Sequence, residues 1–364
     1  MLLAAGVLAL STASLLLPWA PSFDLWGWIL WGRQITHPDL IFSTAGFPSW
    51  KPLPVAFTAL FSLAGSVAPE LWLAFARAGA LVSLVLAYTL ASRHAGRMAG
   101  VLAVAGVVLI PKWLTYFAGG SAELLLSALV LGAVERHLAL RRGQALALLF
   151  AAALLRAEAW PFLLGYGFVY AGRDARRWLA LAALFAAVPA AWFLPDWIGA
   201  GDPLHGSKLA HSSRQAQDAR ALDLPLLRVT WAGLGLVVLP LWLGAAVAVQ
   251  RSLREGERLP VMLAVVALAW MGVVVAMAAV GYAGIPRFML PAGVLVCVTG
   301  AIGVGWVARD LGAARPAVAA ALALSPSRRS RSSAPRRWAP RPAPPRPTTS
   351  YRSSSPTWRT GSAG

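Results

Sequence analysis

Asp24 lies in Phe23-Asp24-Leu25-Trp26-Gly27-Trp28-Ile29-Leu30-Trp31, a carboxylate among four aromatic residues directly after the first apolar run of the chain. An acid at such a membrane-surface position is expensive to keep and marks a function. Other ionisable residues stand at similar breaks between apolar runs: Lys51, Glu123, Arg156, Glu158 and Arg287. Acids and bases in a membrane bundle serve proton or ion transport, recognition of a charged substrate, or catalysis. Transport places them near the midplane with broken helices in both of two repeats. Here no repeat of Asp24, of Lys51-Pro52 or of Arg156 to Glu158 is found, which favours chemistry on a lipid-borne substrate.

The elements that must position these residues are membrane spans. The chain is 58% hydrophobic and 13% charged with mean hydropathy +0.65, and its apolar runs repeatedly reach the ~20 residues that cross a bilayer core. A soluble protein of this composition would have almost no polar surface. The reading is an all-α polytopic bundle. Runs at 2 to 19, 70 to 91, 97 to 112, 121 to 139, 178 to 195, 226 to 249, 260 to 282 and 288 to 307 read as spans, and 144 to 172 as a hairpin of two short helices. Together they make ten crossings or partial crossings. Ala20-Pro21-Ser22 faintly resembles a cleavage site, but no basic residue precedes the first run, so it reads as a retained helix.

Basic clusters at Arg93 and Arg97, Arg136 to Arg142, Arg173 to Arg177, Arg251 to Arg258 and Arg309 to Arg315 each separate two spans. One orientation puts all five in the cytoplasm, with the N-terminus. Asp24, Lys51, Glu123, Arg156, Glu158, Asp202, Lys208 and Arg287 then share the outer, periplasmic face of a plasma membrane. In the first outer loop, 20 to 69, the stretches 24 to 35 and 52 to 67 are too short to cross and read as juxtamembrane or re-entrant helices roofing the bundle. A further outer loop runs from 196 to 225. The membrane domain covers 1 to 324.

Residues 325 to 364 hold nine Arg and no acid, so half of the net charge of +18 sits there. This Arg, Pro and Ser-rich tail has nothing to bury and reads as disordered and cytoplasmic, attracted to anionic lipid rather than to nucleic acid. Residues 316 to 324 begin like another span and stop, which suggests that a change of reading frame replaced a last helix; resequencing the coding DNA tests this. The lone Cys297 rules out an internal disulfide and a Cys metal cluster.

Seven segments in order carry a family resemblance. They are the Asp24 loop, Trp50-Lys51-Pro52-Leu53-Pro54, Arg77, Gly119-Gly120-Ser121-Ala122-Glu123, Arg156-Ala157-Glu158-Ala159-Trp160, and Gly201-Asp202-Pro203-Leu204 followed by Gly284-Ile285-Pro286-Arg287-Phe288-Met289-Leu290-Pro291. Over residues 1 to about 308 the chain resembles the GT-C superfamily of polyprenyl-phosphate-sugar-dependent glycosyltransferases, within it the protein mannosyltransferase and aminoarabinose transferase branch. It departs from the protein mannosyltransferases in having Asp24-Leu25 where they carry Asp-Glu. The resemblance implies inverting transfer of a sugar from a polyprenyl-phosphate donor to a lipid, glycan or protein acceptor on the outer face. It makes Asp24 the general base and Lys51, Arg156 and Arg287 the ligands of the leaving phosphate, with Glu123, Glu158 and Trp28 in support.

Each residue has a plainer reading. Asp24 suits a helix N-cap, Lys51 a cation reaching to headgroups, Glu123 a first-turn acid behind Ser121, and Arg287 an interface anchor. Trp26, Trp28 and Trp31 read first as an aromatic belt and second as a sugar platform. Arg156 and Glu158, two apart, do not meet on a helix and are expected to point to different partners. The five His show no ligand spacing, so no zinc or other cofactor is expected; a divalent cation between Asp24 and Glu123 stays open. The competing functions are a transporter or flippase for a lipid-linked substrate and a non-catalytic scaffold of the same fold.

Overall fold

A computed structural model describes residues 2–19, 21–46, 48–213, 216–217 and 225–312. The Arg-rich tail and the run 316 to 324 lie outside the described residues. Among the described residues there is no strand. The chain opens with α1 (Leu2–Ala13), α2 (Phe23–Thr36) and α3 (Pro52–Ser62). In α2 the buried residues Leu25, Trp28, Ile29 and Gly32 recur at helical spacing and face α3. A Cβ on Gly32 would lie 2.5 Å from the backbone of Thr58, so only glycine allows this approach. The Thr58 hydroxyl donates to the Trp28 carbonyl at 2.7 Å and completes the contact. Both short helices of the first loop therefore form as the sequence indicates.

The chain continues through α4 (Ala68–Ala95), α5 (Arg97–Val108), α6 (Trp113–Ala118), α7 (Ala122–Leu138), α8 (Arg142–Leu155), α9 (Trp160–Ala171) and α10 (Ala175–Ala200). It closes with α11 (His205–Ser212), α12 (Pro225–Leu234), α13 (Leu239–Glu255), α14 (Arg258–Ala279) and α15 (Leu290–Asp310). Among the described residues, four helical stretches are long and apolar enough to cross a membrane: Gly65–Ala95, Ala175–Ala200, Arg258–Ala279 and Pro286–Asp310. A fifth arises if the bent pair α12 and α13 counts as one span.

Four expected spans are therefore different: 2 to 19 and 121 to 139 form only the shorter helices Leu2–Leu16 and Ala122–Leu138, and two others break. The run 97 to 112 stops as a helix at Val108, about 18 Å long, because Pro111 disfavours a helical Ile110 and Lys112 turns left-handed with φ 65°. The run 226 to 249 bends by 87° between Leu234 and Leu239. There Pro240 opens a new helix, and the Trp242 indole N–H caps the freed Leu234 carbonyl at 3.0 Å.

At the centre stands α15, in a span that is 94% buried. Its Gly303 meets α13 so closely that a Cβ would lie 1.9 Å from the Gly244 carbonyl oxygen, the backbone contact that small residues permit between apolar helices. The span formed by α10 is the opposite case. Only 11% of its apolar window is buried, a surface that belongs in hydrocarbon rather than water.

Contacts also separate two ends of the bundle. At one, Arg93 pairs with Glu135, Arg251 with Asp310 at 3.0 Å, and the Trp306 indole donates to the His94 carbonyl. The N-terminal ends of α7 and α15 lie at the other, with Glu123 and Arg287 3.6 Å apart.

Candidate functional site

Asp24, Lys51, Arg156, Glu158 and Arg287, drawn from four distant segments, line one cavity of about 710 Å³. Each is placed by a break in helical structure. Asp24 is in the first turn of α2, behind the N-cap residue Ser22, so the N-cap reading of Asp24 is replaced by a first-turn acid with a partner across the cavity. Lys51 precedes Pro52 at the start of α3. The two residues before it are anchored: the Ser49 hydroxyl donates to the Gly206 carbonyl and the Trp50 indole to the Ala191 carbonyl, both at 3.0 Å. Arg287 lies in the 3-10 turn Pro286–Met289 that leads into α15.

The charges form an alternating chain. Arg287 Nη2 lies 3.2 Å from Asp24 Oδ2, and its Nε 3.6 Å from Glu123 Oε1. Glu123 sits in the first turn of α7, is only 3% exposed, and accepts from the Ser121 hydroxyl. The same Oε1 accepts from Arg156 Nη1 at 2.9 Å. Arg156 then holds Glu158 through two bonds, Nη2 to Oε1 at 2.5 Å and Nε to Oε2 at 3.1 Å. The expectation that Arg156 and Glu158 point apart is thus corrected. Helical spacing does not apply there, because Arg156 is extended (φ −147°, ψ 134°) and Glu158 lies in a 3-10 turn, which brings a two-residue pair face to face.

Arg156 is saturated by these acids and stacks on Phe288, its Cζ 3.8 Å from the ring centroid. Lys51 differs. Among the described residues its Nζ makes no hydrogen bond or ion pair, and it rests 5.0 Å from the centroid of the Trp28 ring. Burial, with the Arg156 charge next, lowers its ammonium to about 8, against the pull of Asp24 and Glu123. Near neutral pH it is a cation without a counter-ion bonded to it.

Trp28 supports this cation from below. It is 2% exposed and packs edge-on against Trp72 at 5.3 Å, and Trp31 is equally buried, its indole bonded to the Ser43 carbonyl. Belt and sugar-platform readings therefore fail for both, since the buried stripe of α2 passes through them; Trp26 alone of the three is exposed. A divalent cation between Asp24 and Glu123 would have to share its place with the Arg287 guanidinium that bridges them. Arg77 is a clamp: its guanidinium donates to the carbonyls of Ser14, Phe117 and Ala118, tying α4 to the ends of two short elements. Asp202 and Lys208 pair with each other at 2.6 Å on the surface.

The sequence reading overlooked Asp196, near the end of α10. It lines the cavity, is 4% exposed, and accepts from the Gly206 N–H at 2.8 Å, tying the start of α11 over the site. An acid straight after Pro195 at the end of an apolar run was the available signal. Beside it the cavity wall is aromatic. Trp160 and Trp192 both donate their indole N–H to the Ala153 carbonyl, leaving ring surface to face the interior. The cavity thus joins a charged end to an apolar wall, a shape suited to a ligand with an anionic head and a greasy body.

No protein-family model matches this chain, and no curated protein or solved structure matches it.

Proposed function

We propose that the chain is a membrane glycosyltransferase of the GT-C type, moving a sugar from a polyprenyl-phosphate donor to an acceptor hydroxyl. One observation carries this reading: a carboxylate and three cations, singled out from separate segments of the sequence, line a single cavity that also has an apolar aromatic wall. In the reaction the acceptor oxygen attacks the anomeric carbon, its proton passes to the Asp24 carboxylate, and the bond from that carbon to the phosphate oxygen breaks. The electron pair leaves on the phosphate. That anion needs cations rather than an acid, and Lys51 and Arg287 supply them in a poorly hydrated site. Arg156, already filled by Glu123 and Glu158, serves as the frame that keeps both acids charged and placed.

The bundle makes ten crossings or partial crossings of the plasma membrane, with α1, α5, α7, α8 and α9 as its shorter members. The cavity faces the periplasm, and the N-terminus and the tail are cytoplasmic. This is supported by the gathering of Arg93, Arg136, Arg251 and Arg309 near the end remote from the cavity, as the excess of positive charge inside requires. Labelling single cysteines placed at His37 and Arg254 tests it: the first should react from outside and the second only after permeabilisation.

Asp24→Asn is the test of chemistry. Transfer should fall ~10²- to 10⁴-fold, the usual contribution of a positioned base, while the protein still binds lipid phosphate. Undiminished transfer would remove Asp24 from that role.

A further inference from the structure

The two arginines of the site are held in contrasting ways. Arg156 is 8% exposed in its side chain, holds Glu158 through two bonds and is stacked on Phe288. Arg287 is 25% exposed and its partner Asp24 22%, both reach the cavity, and the Arg287 Nε has no hydrogen-bond partner among the described residues. One guanidinium is fixed; the other has a single bond to the Asp24 carboxylate, and its Nε lies 3.6 Å from Glu123 Oε1, beyond bonding distance.

Charge counting sharpens the contrast. Asp24, Glu123 and Glu158 balance Lys51, Arg156 and Arg287, and only Lys51 is free of a bonded acid, so a phosphate that takes a second cation must draw a guanidinium away from a carboxylate. Lys51 offers a point charge, whereas a guanidinium offers the fork that fits two phosphate oxygens. Of the two forks, only that of Arg287 can turn to a phosphate while Arg156 still bonds both buried acids, Glu158 twice and Glu123 at 2.9 Å. While Arg287 holds Asp24 Oδ2, that oxygen already accepts an N–H, and only Oδ1 of the carboxylate is free of a bond among the described residues.

Resting on the function proposed above, we infer that Arg287 is a shared ligand: the donor's phosphate competes with Asp24 for it, and by taking it uncovers the base. The donor's arrival therefore frees the second oxygen of the carboxylate for the acceptor hydroxyl.

The test is a thermodynamic cycle on the full chain in detergent, with farnesyl phosphate as probe and tryptophan fluorescence as readout. If Asp24 and phosphate compete for Arg287, Asp24→Asn binds farnesyl phosphate about fivefold more tightly than wild type, the scale of one partly hydrated ion pair. In an Arg287→Gln background the same change gives no gain, and farnesol, which lacks the anion, shows none in either. Equal tightening with and without Arg287 would mean that Asp24 acts only through its field, and no tightening would mean that it does not compete; either result overturns the inference. Arg287→Lys serves as the background if the Gln variant does not elute as a single species. Absence of farnesyl phosphate binding by well-folded wild type would instead strike at the glycosyltransferase reading, and this inference would fall with it.

Discussion

Helix α7 carries a glutamate near each end, and the two are held in opposite ways. Glu123 is buried, and both of its arginines come from distant segments: Arg156 from the hairpin break and Arg287 from the turn before α15. Glu135, about 18 Å further along the helix, pairs with Arg136 beside it and with Arg93 at 3.5 Å, whose side chain is 61% exposed. The first cluster borders a cavity and the second faces outward. Charges of the same kind can thus hold a site together or merely orient a bundle, and burial of the cationic partner decides which. Buried ions without partners are destabilising by several kcal/mol, whereas exposed pairs are worth little.

The largest effect should come from breaking the buried end. Arg156→Met keeps a long apolar stem and removes the charge, leaving Glu158 with no guanidinium and Glu123 with only the longer contact to Arg287. The expected loss is about 3–5 kcal/mol of stability, seen as a lower thermal midpoint of the purified protein and poor yield. A midpoint equal to that of wild type would show that the two acids do not depend on Arg156.

How this site could be read from sequence follows from the same contrast. Asp24, Lys51, Arg156 and Arg287 were visible because each is a charge at the edge of an apolar run, where only a partner or a function keeps it. The short helices of the first loop were visible from length and from Pro52 and Pro54. Pairing was not. The Arg156–Glu158 contact needs an extended residue followed by a 3-10 turn, and helical spacing rules say nothing about residues where the helix has stopped. Nor did the tryptophans of α2 reveal which side of the helix packs on α3, since apolar residues surround it on every side. The 87° bend at α12 and α13 was masked by a continuous apolar run, although Gly235 and Pro240 marked it.

A titration sharpens the comparison further. Lys51 stands outside the spanning helices, and burial beside Arg156 brings its ammonium down to about 8. A lysine with a lowered value is charged below it and neutral above it, so the site loses a cation as pH rises through about 8. Phosphate esters complete their own ionisation near pH 6, so the probe's charge is constant above 7. Farnesyl phosphate affinity should therefore fall about tenfold between pH 7 and pH 9. Lys51→Arg, which stays charged across that range, should flatten the profile. A flat wild-type profile would remove Lys51 from the phosphate site.

The smallest effect should come from the other end of α7. Glu135→Gln keeps the shape of the side chain and one acceptor oxygen, and it releases Arg93 and Arg136 to water or lipid headgroups that already reach them. Stability should change by less than about 1 kcal/mol, and transfer activity should stay at the wild-type level. Added salt should narrow even that difference, because an exposed pair is screened where a buried one is not. If Glu135→Gln instead lowers the thermal midpoint as far as Arg156→Met does, exposure of the partner is not what separates the two ends. The remote cluster would then have to be counted, with the cavity, among the structures that hold the bundle together.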